Sequence, residues 1–260
     1  MNDENQIKQR LQHDQVVYGC MLTEVRTPSV GMILERAGLD FFIIDMEHGA
    51  FSYETVSDII AASRGLRITP FVRVPDLERQ AFQKPLDAGA AGVLIPRVER
   101  REQVEQAIRY LKYAPIGERG LSLTRGHSGY QKSDPFEFTS RKNDEVMLMV
   151  QIETKNGVDN LEEIAAVPGV DVLFVGPSDL RHSYGPGPNT SDRLKEAYGK
   201  VAETGKQNGV ATGVQMSDSK TIKSLVSRGM RLVSCGTEVG MLISGLSGIV
   251  SEIQRHVNGT

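Results

Sequence analysis

Four short stretches of this chain carry the side chains able to do chemistry. Asp45-Met46-Glu47-His48 joins two carboxylates to a histidine, and Arg73 supplies a cation. Gln151-Ile152-Glu153 offers an amide and an acid, and Gly176-Pro177-Ser178-Asp179 a further acid. Histidine beside carboxylates is a general acid–base combination. Each residue alone has a plainer reading. Asp179 could cap a helix, Asp45 could be bonded to backbone amides, and His48 could be an ordinary core or surface histidine. Arg73 could be an interior ion-pair partner with Glu153 as its counter-charge. Together these readings weaken, because carboxylates gathered at one place are costly unless something positive joins them. A divalent cation would supply that charge. Glu153 and Asp179 offer hard oxygen ligands, which suits Mg²⁺ or Mn²⁺ (Co²⁺ is also admissible) better than zinc.

The elements that must bring these residues together follow one pattern. Eight apolar, β-branched runs, at 16–20, 40–45, 68–74, 92–98, 146–152, 170–176, 211–216 and 231–236, alternate with helical patterns. Their nearly continuous apolar character is that of strands covered on both faces in a parallel sheet. Such regular alternation predicts βαβ units, and eight of them predict an α/β fold, a single (β/α)8 TIM barrel over 1–260. An extra helix is expected over 2–13. Helix starts are expected at Thr27-Pro28, Ser52, Asp76 and Ser217, with one helix closing at Gly229. In this fold active sites form where strands end, and the acids, His48, Arg73 and Gln151 all fall there. Asp87, in LDAGA, could approach the same mouth from this chain or from a neighbouring one. The longest connection contains 113–145, polar and Gly-rich, and is expected to be an active-site loop.

Composition narrows the function. With 30 Lys+Arg against 33 Asp+Glu the net charge is −3, and no basic stripe marks a nucleic-acid partner. No apolar run is long enough to span a bilayer, and the opening MNDENQIKQR lacks the apolar core of a signal peptide. Cys20 and Cys235 cannot make a disulfide framework or a four-cysteine zinc site, so a reducing cytoplasm is the default. If the barrel closes, the two lie on neighbouring strands as packed thiols. No phosphate loop, dinucleotide fingerprint or G-x-S-x-G elbow occurs, and Gly185-Pro186-Gly187-Pro188 is only a stiff turn. None of the eight runs holds a lysine for Schiff-base chemistry; Lys155 is the nearest.

IIDMEHG (43–49), FVRVP (71–75), LDAGAAGVLIPRV (86–98), GERG (117–120), VQIET (150–154) and VDVLFVGPSDL (170–180) resemble the HpcH/HpaI aldolase family, class II metal-dependent 2-oxo-acid aldolases. The resemblance covers roughly 16–240. It implies a (β/α)8 barrel whose last helix packs against a neighbouring subunit, in a homo-oligomer that is often a hexamer built from dimers. It implies Glu153 and Asp179 as metal ligands, His48 as the catalytic base and Asp87 as the acid that orients it. Arg73 is the implied stabiliser of the enolate oxygen, and Gln151 and the Ser178 backbone the binders of the 2-oxo acid. Ser178 replaces an expected alanine. Asp45 and Glu47 complete the strand-two motif. RGLSLTRGHSGY (119–130) departs from the family pattern, and its Arg125 and His127 could serve a second substrate carboxylate.

The implied reaction is reversible cleavage of a 4-hydroxy-2-oxo acid to pyruvate, or a related 2-oxo acid, and an aldehyde. The same scaffold also hosts citrate-forming enzymes that join oxaloacetate to acetyl-CoA, and that condensation is the alternative. A barrel that only binds a carboxylic acid is the third reading.

Overall fold

The computed structural model describes residues 5–258. Eight strands, β1 (Val17–Leu22), β2 (Phe41–Asp45), β3 (Thr69–Arg73), β4 (Gly92–Ile95), β5 (Met147–Ile152), β6 (Val172–Val175), β7 (Ala211–Gln215) and β8 (Leu232–Thr237), form a closed parallel barrel in sequence order. All eight expected runs are strands. Around them lie α1 (Gln6–Gln12), α2 (Val30–Arg36), α3 (Tyr53–Ala62), α4 (Arg79–Ala88), α5 (Arg101–Leu111) and α6 (Pro135–Glu145). Then follow α7 (Lys155–Asp159), α8 (Leu161–Ala165), α9 (Pro177–Ser183), α10 (Thr190–Asn208), α11 (Ser219–Ser227) and α12 (Glu238–Asn258).

Alternation along each strand sorts the core. Outward residues such as Phe42, Ile44, Val93 and Val150 meet the helices. Inward residues Phe41, Ile43, Phe71, Leu94, Met149, Phe174 and Leu232 fill the barrel, as packed layers of four from alternate strands. The pairing registers around the tilted strands group Met21, Arg73, Gln151 and Gln215 in one layer at the strands' C-terminal ends. Ile43, Leu94, Phe174 and Ser234 form the layer beneath. The other end is plugged by α1, whose Ile7 joins the interior cluster.

Several boundaries differ from expectation. The extra helix occupies Gln6–Gln12, capped by Asn5; its expected first residues, 2–4, lie outside the described residues. Ser52 caps α3 as expected, its side chain accepting from Thr55 N–H. α2 begins at Val30 after Ser29 rather than at Thr27-Pro28. α4 begins at Arg79 after Glu78 rather than after Asp76. α11 is capped by Asp218, which accepts from Thr221 N–H, rather than by Ser217. Aspartate and serine stand side by side at 217–218, and only the backbone path decides which one points at the open amides.

Candidate active site

Asp45 and Arg73 are register partners on β2 and β3, so both point into the barrel mouth. The guanidinium grips the carboxylate with Nε to Oδ1 at 2.8 Å and Nη2 to Oδ2 at 2.6 Å. Asp45 Oδ1 also accepts from the N–H groups of Glu47 (3.0 Å) and His48 (3.3 Å), which sets the chain's turn after β2. Asp45 is therefore the residue that orients Arg73. Burial opposes the charge on Arg73, but its hydrogen bond to Asp45 and the charges of Asp45, Glu47 and Glu153 outweigh it and raise its pKa. Removing either partner of such a buried pair costs about 3–5 kcal/mol.

Arg73 Nη1 stands 2.9 Å from Glu47 Oε2. No N–H is aligned on that oxygen, which stays buried without a hydrogen-bond partner, so the contact is charge on charge. Burial raises the pKa of Glu47; Arg73 and His48 oppose the rise while Asp45 and Asp179 add to it. His48 Nε2 lies 4.0 Å from the same Oε2, with 68% of its side chain exposed at the rim.

Glu153 follows the last residue of β5 and is 1% exposed. Its Oε1 accepts from Arg97 N–H at 2.7 Å and its Oε2 from the Gln151 amide. Arg97 holds the left-handed conformation, φ 51°, to present that N–H. A non-glycine residue so held costs about 1–3 kcal/mol, and such strain concentrates at functional sites. Burial pushes the Glu153 carboxyl up to about 7; the Arg97 N–H opposes this, and Glu47 and Asp179 add to it. With its N–H group given to Glu153, Gln151 keeps Oε1 buried and unpartnered. Gly176 completes the cradle. A Cβ there would lie 2.7 Å from both Gln151 Nε2 and Glu153 Oε2, so only glycine leaves those atoms open. Beyond it Ser178 and Asp179 sit exposed in the first turn of α9, whose N-cap is Gly176. Asp179 is thus not the helix cap, and its charge acts on Glu47 and Glu153.

The sequence model of the HpcH/HpaI aldolase/citrate lyase family matches residues 21–245. The chain belongs to this family. It is a carbon–carbon lyase. It is 30% identical over 246 residues to the hydroxypyruvate/pyruvate aldolase of Roseobacter denitrificans, covering 92% of this chain and 93% of that one. Its fold matches the HpcH/HpaI aldolase from Desulfitobacterium hafniense at TM-score 0.90 and 31% identity, over 95% and 96% of the two chains. It also matches citrate synthase SbnG, at TM-score 0.86 and 26% identity, over 96% and 98%.

Within one chain of this aldolase, three expected site features stand elsewhere. Segment 113–145 follows α5 and leads into β5, so it hangs from the end of the barrel where strands begin, opposite the mouth. It is also not one loop, since 135–145 is α6. Asp87 lies in the last turn of α4, which descends from the mouth to that same far end. There Asp87 pairs with buried Arg119 at 2.8 Å, and its carbonyl meets His127 Nδ1 at 3.1 Å. Arg125 precedes the turn Gly126–Ser128, which packs on Ala88 and Gly89. Burial, then Arg119, pull the pKa of His127 down against the opposing effect of Asp87, and its ring packs edge-on against Phe138. Neither Asp87 nor Arg125 reaches His48 of its own chain.

Two residues that position the mouth were not among the candidate site residues read from the sequence. Glu238, first residue of α12, receives the N–H groups of Thr23, Glu24 and Val25 at 2.6–3.0 Å, tying the loop after β1 to the end of β8. Arg97 lies within LDAGAAGVLIPRV, but it acts through its backbone N–H, which residue type does not reveal.

Proposed function

We propose that this lyase reversibly cleaves a 4-hydroxy-2-oxo acid to pyruvate, or a related 2-oxo acid, and an aldehyde, using a divalent cation at Glu153 and Asp179. The observation that carries this reading is Glu153: a buried acid that burial and neighbouring carboxylates push up to about 7, within a cradle left open by Gly176. A positive ion there would keep Glu153 ionised. The donors fit a hard cation. Both are carboxylate oxygens, the ligand type that such ions take. Two protein ligands leave positions for water and substrate, as Mg²⁺ or Mn²⁺ prefers. When bound, such an ion would act as a Lewis acid toward the substrate's carboxylate and 2-oxo oxygens.

The protein's own groups do the rest. Arg73, held by Asp45, stabilises charge that develops on the 2-oxo oxygen. Gln151 and the Ser178 N–H orient the 2-oxo acid. His48 takes the proton of the 4-hydroxyl as the carbon–carbon bond breaks, and returns it in condensation. Glu47 Oε2, near both Arg73 and His48, helps hold His48 in place.

Exchange of pyruvate methyl protons in D₂O, followed by NMR with Mg²⁺ or Mn²⁺ and with EDTA, tests this reading. Metal-dependent exchange that EDTA abolishes is expected. Its absence would overturn a pyruvate aldolase and favour the second reading, a citrate-synthase-like condensation. The similarity to citrate synthase SbnG supports that second reading, and free thiol release from acetyl-CoA and oxaloacetate would reveal it.

We further propose a homo-oligomer. From Gly240 onward α12 is exposed on all sides, and it carries Leu242, Ile243, Leu246, Ile249, Val250 and Ile253, each at least half exposed. A helix apolar to this extent needs a partner, and a second copy of the chain supplies one. Asp87 and Arg125, remote from their own mouth, then serve the mouth of a neighbouring copy.

A further inference from the structure

We infer that Glu238 is a positioning residue for His48: by fixing the loop after β1 it holds in place the turn that carries the base. The inference rests on the aldolase reading, in which His48 moves the hydroxyl proton, and adds what sets the place of that imidazole.

A general base works only within hydrogen-bond reach of the proton it takes, and a displacement of about 1 Å can cost ~10²-fold in rate. His48 is poorly fixed by its own contacts. Its side chain is 68% exposed, with Nε2 4.0 Å from Glu47 Oε2. Its N–H reaches Asp45 Oδ1 at a long 3.3 Å. The position of the ring therefore follows from the backbone beneath it.

That backbone is clamped by Phe51. Gly49 follows His48, and a Cβ there would collide with the Asp45 carbonyl and lie 2.9 Å from the Phe51 ring. The ring, buried at 7% exposure, is thus pressed against the turn directly after the base. Phe51 in its turn meets the loop after β1. That strand ends at Leu22, level with Ile44 of β2, so 23–26 rises beside 45–49. The Arg26 guanidinium lies 6.0 Å from the centre of the Phe51 ring, at the limit of a cation–π contact. Val25 packs on the same apolar cluster as Phe51.

Glu238 fixes this loop where no strand or helix does. The Thr23 N–H donates to both carboxylate oxygens, at 2.8 and 2.9 Å, and the Thr23 hydroxyl donates to Oε2 at 3.1 Å. Glu24 N–H and Val25 N–H reach Oε1 at 2.6 and 3.0 Å. Three successive amides converge on one buried carboxylate, and charge-assisted bonds of this kind are roughly twice as strong as neutral ones. The neighbouring Thr237 pairs with Met21 across the β1–β8 seam, so the barrel is closed there without Glu238. What the carboxylate adds is the path of 23–25, and through Arg26 and Phe51 the place of His48.

Cleavage of 4-hydroxy-2-oxopentanoate, the aldol of pyruvate and acetaldehyde, tests this. Glu238→Gln keeps the size of the side chain but turns one oxygen into an NH₂ that faces the loop's donors. It should lower kcat by about tenfold or more, with KM and the Mn²⁺ affinity measured by calorimetry little changed. Phe51→Leu, which thins the contact between loop and turn, should act in the same direction. Because Glu238 acts through His48, Glu238→Gln added to His48→Ala should cost no further activity. A further loss in that background would overturn the inference, since Glu238 would then act on the mouth at large. An unchanged kcat in Glu238→Gln would overturn it too, as would KM and Mn²⁺ affinity that worsen in step with kcat. Absence of pyruvate methyl exchange in the unaltered enzyme would overturn the aldolase reading and this inference together.

Discussion

The two ends of this barrel both bury polar and charged residues, and they use them in opposite ways. At the end where strands begin, charges are matched, although Arg119 Nε is buried without a hydrogen-bond partner. Arg119 meets Asp87, and the buried Lys112 ammonium donates to the carbonyls of Asn143 and Val146. Asn143 is held on both sides by the Tyr113 backbone. At the mouth, Glu47 Oε2 and Gln151 Oε1 are buried without partners, and Glu153 is crowded by other acids. Satisfied polar groups rigidify a fold; unsatisfied ones store a free-energy cost that a ligand can relieve. The difference separates scaffold from site more sharply than residue type does.

The largest expected effects break the mouth. His48→Ala should lower turnover by about 10²–10⁴-fold while Mn²⁺ binding, followed by calorimetry, persists; Glu153→Gln should lose both. Turnover by His48→Ala at the normal rate would refute the site as drawn. The next test asks whether the far end is scaffold alone. Asp87→Asn subunits mixed with His48→Ala subunits should regain activity that neither has separately, because one mouth in the mixed assembly then has both groups. No regain would return Asp87 to a purely structural role. Leu246→Asp combined with Ile249→Asp on α12 should release smaller species in light scattering, and activity should fall with assembly.

Smaller effects test the matched groups. Lys112→Met leaves the carbonyls of Asn143 and Val146 unpaired, a loss of about 1–3 kcal/mol in denaturant unfolding. Activity per folded molecule should be spared. Glu238→Gln probes the staple at the mouth. Burial raises the Glu238 pKa, but the N–H groups of Glu24, Val25 and Thr23 outweigh it, so the folded value lies below the ordinary one. Its stabilisation is therefore present above pH ~4.5 and lost as pH falls through the folded value. Glu238→Gln should cost about 1 kcal/mol at pH 7, and the two proteins should converge in strong acid.

Much of this fold is legible in the order of its residues alone. Apolar runs bounded by helical patterns identify all eight strands, because a strand buried on both faces has little choice of composition. The mouth positions are legible for the same reason, since each lies at or shortly after the end of such a run. Cap positions are less so, as at Ser217 and Asp218, where neighbours of equal capping strength compete. The displaced expectation for 113–145 has a topological cause. Length and polarity mark it as unusual, but whether a connection lies at the mouth depends on whether it follows a strand or a helix, and this one follows α5.

By itself, then, the sequence determined the barrel, its closure and the residues at its strand ends, because burial patterns and strand periodicity are local properties. Only the tertiary structure decided which of those residues meet. Arg73 grips Asp45 and faces Glu47, where the sequence had offered Glu153 as its counter-charge. Glu153 is served by a strained Arg97 amide. Such pairings depend on strand register and tilt around a closed sheet, and a one-residue slip would turn each of these side chains to the other face.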